Sequence, residues 1–210
     1  MNSYKIGNKI ANYILLQGSY IKDASLYHGK MGLSLALFFW GRKTKNPIFE
    51  RYASNLLEDV YDLVHVGMPI GIEYGLSGIA LGITYLYKAQ FVQCNLNDVL
   101  SDIDQKIMEY SPQRIKDHSF RTGIQGIIEY IKVRKSTGEP VTTFDKYFLQ
   151  ELSSCTSYGI KNRKDKFYFI NDLKAPKDNI NKYLGNKLDI DEGIGYYLIK
   201  ESYERILPHQ

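Results

Sequence analysis

Four polar dipeptides stand directly before glycines: Tyr27-His28 before Gly29, Glu73-Tyr74 before Gly75, Arg121-Thr122 before Gly123 and Asp191-Glu192 before Gly193. Their side chains are of types that do chemistry. An imidazole such as His28 serves as a base or a metal ligand. Glu73 with Asp191 or Glu192 would make a carboxylate pair for glycoside hydrolysis if the two lay roughly 5–10 Å apart. The same carboxylates also complement the positive end of a helix, and capping is the weightier reading. No Ser-His-Asp order, phosphate loop or histidine metal pair accompanies them. No catalytic residue and no metal ligand is therefore assigned. Tyr27, His28, Glu73, Tyr74, Arg121, Asp191 and Glu192 are taken as a ligand-binding rim, provided one set of elements brings them to one side.

The elements follow from the glycines. Gly29 and Gly32, Gly75 and Gly78, and Gly123 and Gly126 are three Gly-x-x-Gly pairs, each followed by a strongly apolar turn. Successive pairs are 46 and 48 residues apart, a repeat length that fits stacked helical hairpins. A helix-interior glycine costs about 0.5–1 kcal/mol relative to alanine, so packing must compensate; close approach of neighbouring inner helices is the expected reason. Between the pairs lie amphipathic partners. One begins at Asn46-Pro47 with Ile48, Tyr52, Leu56, Val60 and Leu63 on its stripe, and another at Asn95 with Leu96, Val99, Leu100, Ile103, Ile107 and Tyr110. A third starts near Thr142 or Thr143 and carries Phe144, Phe148 and Leu152. An opening helix over 5–17 shows Ile6, Ile10, Tyr13 and Ile14 at helical spacing. Helices apolar all round lie inside those with one stripe.

A fourth pattern, "DIDEGIGYYLIKESYERIL" from Asp189, has its glycines two apart, at 193 and 195. An insertion precedes it. Residues 160–190 hold eight Lys or Arg against four Asp, which is the whole formal net charge of +4. A solvated loop face is the plainer reading of that strip, and an acidic partner the sharper one; no nucleic-acid motif accompanies it. The two cysteines, Cys94 and Cys155, have no paired spacing and read as reduced structural thiols. The opening residues lack a secretory apolar core, and the longest apolar run, Met31 to Gly41, is too short for a bilayer. A cytoplasmic protein without membrane insertion is expected.

With its Gly-x-x-Gly heads, "LYHGKMGLSLALFF" and "YGLSGIALGITYLY" above all, the chain resembles the LanC-like family, the lanthionine synthetase cyclases and their relatives. The resemblance covers most of residues 20–135 and extends to 189–207. It implies an α/α toroid, a ring of inner helices within outer ones, here shortened to a partial ring of three to four hairpins. It also implies ribosomal peptide modification. Family cyclases hold zinc through two cysteines and a histidine in Trp-Cys and Cys-His-Gly motifs, and this sequence contains neither motif. No cofactor is expected.

These observations set the expectations: an all-α single domain over 1–210 with an irregular basic insertion at about 157–190, binding a peptide or a partner enzyme without catalysis. A partial ring leaves apolar end faces, so a homodimer or hetero-complex is expected. An enzyme, either a degenerate zinc cyclase or a glycan-processing toroid, is the alternative, and a structural subunit of a hetero-oligomer the second.

Overall fold

The structure, a computed structural model, describes residues 3–155, 168–177 and 185–206, and all regular elements among them are helical. Lys161, Arg163, Lys164, Lys166 and Lys182 of the basic strip lie outside the described residues. The backbone divides into two compact units, Met1–Val64 with Phe167–Gln210, and His65–Lys166. Each is described by itself.

Unit 1 contains α1 (Ser3–Gln17), α2 (Lys30–Thr44), α3 (Pro47–Leu63), α8 (Tyr168–Asp172) and α9 (Gly195–Ile206). Every residue of α2 from Lys30 to Gly41 is buried, as its unbroken apolar run requires. Helix α3 begins as its sequence dictates, with Pro47 in the first turn and Asn46 Oδ1 accepting the Ile48 amide. Its buried stripe is Phe49, Ala53, Leu56 and Val60. The expected stripe is thus corrected in its first half: Ile48 is exposed and Phe49 takes the inward place. On α1 the small residues Gly7 and Ala11 join Ile10 and Ile14 inside. A Cβ at Gly7 would overlap the Trp40 indole, whose Nε1 donates to Asn8 Oδ1 at 3.0 Å. The segment expected to be irregular carries α8, whose Phe169 and Ile170 are fully buried.

Unit 2 contains α4 (Leu76–Lys88), α5 (Leu96–Met108), α6 (Ile124–Lys135) and α7 (Lys146–Cys155). Helices α4 and α6 are the apolar pair and pack on each other. Helix α5 buries Leu96, Leu100, Ile103, Asp104 and Ile107 but leaves Val99 exposed; Tyr110, expected on its stripe, lies beyond its end and is exposed. The cap of α7 is Asp145, whose Oδ1 accepts the Phe148 amide at 2.7 Å; the expected start at Thr142 or Thr143 is two to three residues early, because Thr143 is spent on Asp104.

The glycines do a job other than the expected one. A Cβ on any of Gly29, Gly32, Gly75, Gly78, Gly123 or Gly126 would stand well inside van der Waals contact of one atom, the carbonyl oxygen six residues earlier in the chain. In order, those oxygens belong to Asp23, Leu26, Pro69, Ile72, Asp117 and Phe120. The loop entering each inner helix folds back over its first turn, and glycine provides the space. The returning carbonyl then accepts an otherwise orphaned helix N–H: Lys30 N to Asp23 O at 2.8 Å, Leu76 N to Pro69 O at 2.8 Å, and Ile124 N to Asp117 O at 2.9 Å. The head of α9 does the same at the same sequence separation, Ile194 N donating to Lys187 O at 2.9 Å and Gly195 N to Leu188 O at 3.0 Å.

Heads also join in pairs, by the same rule in both units. In unit 2, Glu73 N donates to Arg121 O at 2.9 Å, and Ile72 Cγ1 lies 2.9 Å from where a Cβ on Gly126 would be. In unit 1, Asp191 N donates to Tyr27 O at 3.3 Å, and Ile190 Cγ1 lies 2.9 Å from the corresponding point on Gly32. The last head therefore stands to the first as the second stands to the third. Helix α9 covers a face of α2, a face that an array ending at α2 would leave bare.

Candidate functional site

Each head presents a dipeptide, and its two positions have different fates. The first residue, Tyr27, Glu73, Arg121 or Asp191, is held within its unit. The second, His28, Tyr74, Thr122 or Glu192, points outward: Tyr74, Thr122 and Glu192 are exposed and His28 is partly so.

In unit 1, Tyr27 is fully buried and its hydroxyl donates to Asp172 Oδ2 at 3.2 Å. His28 Nδ1 is 3.1 Å from Asp189 Oδ2, with the two side chains 17% and 15% exposed. Asp191 is buried; its Oδ1 accepts the Lys174 amide at 2.7 Å. Glu192 returns the contact, its amide donating to Lys174 O at 2.8 Å, and its carboxylate lies 3.8 Å from Lys174 Nζ. Its backbone is left-handed at φ 58, uncommon for a residue with a side chain. The peptide after α8 is thus fastened to the α9 head.

In unit 2, Arg121 Nη1 donates to Glu73 Oε1 at 3.0 Å, an ion pair whose side chains are 19% and 15% exposed. Behind it, Asp117 accepts the Thr122 hydroxyl at 2.6 Å and the Ser119 amide at 2.8 Å. Those hydrogen bonds, the Thr122 one foremost, hold its carboxyl below the usual range. Tyr27, His28, Glu73, Arg121, Asp191 and Glu192 are thus engaged by their own unit through side chain or backbone, and Tyr74 is exposed.

The sequence reading missed three of the partners, Asp172, Asp189 and Lys174, because all lie in or beside the insertion it left irregular. It missed as well a repeated signal in the entering loops. Asp23-Ala24-Ser25 and Asp117-His118-Ser119 both place a carboxylate six residues before the first glycine, and each carboxylate accepts the amide two residues on. A second omission is the network at the far end of α6. Asp104, on α5, is buried and accepts the Tyr130 hydroxyl at 2.5 Å and the Thr143 hydroxyl at 2.5 Å. Burial raises its carboxyl above the ordinary value, against the pull of those hydrogen bonds and of Arg134. Arg134, fully buried, gives Nη2 to Asn97 Oδ1 at 2.6 Å.

The zinc implied by the resemblance needs thiolates at the heads. Cys94 lies between α4 and α5, where burial and the nearby Glu139 carboxylate push its thiol up, away from the thiolate a metal takes. Cys155 is buried at the last turn of α7. Both are in unit 2, and neither is at a glycine head, so the residues present do not fit that zinc.

No helix among the described residues is long and apolar enough to cross a membrane. A search of curated proteins finds no match to the chain. The family model for lanthionine synthetase C-like proteins matches residues 20–185, well over half of the sequence. The run matched includes all three Gly-x-x-Gly heads, and on that ground the chain belongs to the lanthionine synthetase C-like family.

Proposed function

We propose that this LanC-like chain binds a peptide or a partner enzyme in ribosomal peptide modification or export, without performing the thiol addition of the family's cyclases. One observation carries the reading. The glycine heads keep their folded-back loops, while the cysteines that would make them a zinc centre stand elsewhere. Zinc-assisted thiol addition needs ligands that leave an open position for the substrate, and the family's ligand set is missing here. What the heads retain is a set of outward side chains, His28, Tyr74, Thr122 and Glu192, on rigid supports. A tyrosine with an apolar body and a polar tip is suited to a peptide surface.

A peptide or another protein is the partner that the heads favour. The test is fluorescence anisotropy with a labelled peptide containing dehydroalanine and cysteine, added to chelator-washed protein. Saturable binding without metal is expected, weakened severalfold by Tyr74→Ala. Absence of binding to folded protein would overturn the reading.

A further inference from the structure

We propose that unit 2 binds a small carboxylate, a free monoanion of a few atoms, on the guanidinium of Arg134. The site lies in the last turn of α6, at the other end of that helix from its glycine head, and goes beyond the peptide reading.

Arg134 is fully buried, yet among the described residues it has no ion-pair partner. Its Nη2 donates to Asn97 Oδ1 at 2.6 Å, while Nε and Nη1 reach no acceptor. A guanidinium carries its N–H donors in a fixed plane. Asn97 takes one hydrogen of Nη2, and the other lies along an edge shared with Nε or with Nη1. One edge therefore presents two parallel N–H donors, the fork that a carboxylate fills.

A charge left unpaired in the interior is costly. The negative end of α6 offsets part of that cost, but no acceptor meets Nε or Nη1. The carboxylates nearby are committed elsewhere: Asp104 accepts the Tyr130 and Thr143 hydroxyls, and Glu139 the Tyr87 hydroxyl. A monoanion completes the guanidinium, whereas a dianion such as phosphate would be repelled by both carboxylates. Size follows from depth. Asn97, which touches Arg134, and Cys94, which feels its charge, are only partly exposed. The loop over 136–143 is fastened to α5, Asn97 Nδ2 donating to Pro140 O at 3.0 Å and Thr143 to Asp104. Under such a cover a formate-sized acid fits the depth, and a protein surface does not.

The experiment titrates the full chain with sodium formate and follows thermal unfolding, against sodium chloride and sodium phosphate at equal ionic strength. Formate should raise the melting temperature saturably, by about 5–10 °C at a hundredfold excess over its Kd; the other two salts should give no saturating rise. In folded Arg134→Met the formate shift should vanish. Should that variant fail to fold, Asn97→Asp decides: a carboxylate from the chain itself neutralises the guanidinium, and formate should bind at least tenfold more weakly by calorimetry. The proposal is overturned by no saturating shift, by an equal one with chloride or phosphate, by a shift retained in folded Arg134→Met, or by unchanged affinity in Asn97→Asp. Peptide binding is measured without formate, so each idea can fail without the other.

Discussion

Two aspartates in unit 2 make opposite demands on pH. Asp104 has its carboxyl raised by burial, so its contribution to stability is full below the unfolded value of about 3.9 and is lost as pH rises through the folded one. Asp117 has its carboxyl lowered by the Thr122 and Ser119 hydrogen bonds; its contribution is present above about 3.9 and is lost as pH falls through the folded value. Urea unfolding between pH 3 and 7 should therefore give differences of opposite slope for Asp104→Asn and Asp117→Asn against wild type. Parallel curves would contradict the assignment. The Glu73–Arg121 pair is partly screened, so Glu73→Ala or Arg121→Ala should each cost about 1–3 kcal/mol, with the double variant costing less than the sum in the same assay. The types of the head residues were legible in the sequence; their partners were not. Asp172 and Asp189 are 145 and 161 residues from Tyr27 and His28, and helical spacing says nothing about pairs so far apart.

At the level of elements, the Gly-x-x-Gly pattern announced inner helices, and their burial follows from it. Its reason was misread, since what glycine admits is a carbonyl of its own entering loop and not a neighbouring helix. The distinction is testable. Alanine for a helix glycine ordinarily stabilises by about 0.5–1 kcal/mol, yet Gly78→Ala would drive a Cβ into Ile72 O. It should instead destabilise by about 2 kcal/mol or more, together with faster hydrogen exchange at the Leu76 amide. A stabilised Gly78→Ala would refute the folded-back loop. The phase of α3 was also misplaced by one residue, because a stripe read from Ile48 and one read from Phe49 fit the later positions equally well. Phe49→Ala should cost about 3–5 kcal/mol, and Ile48→Ser within about 0.5 kcal/mol, by chemical unfolding.

For the whole molecule, an all-helical chain with repeated hairpins was readable from period and apolarity alone. That α9 returns to α2 was not, because the contact at its head joins Ile190 to Gly32 across an insertion with no repeat. A chain ending at residue 184 should lose protection in α2 as well as the missing helix, seen by hydrogen exchange, since α9 covers α2. The central claim is that the LanC-like heads bind without cyclising. Its most direct test is a count of free thiols in a peptide bearing dehydroalanine and cysteine, incubated with the protein and equimolar zinc while binding is followed in the same sample. The account predicts a bound peptide whose thiols all persist; thiols consumed at a rate proportional to the protein would contradict it.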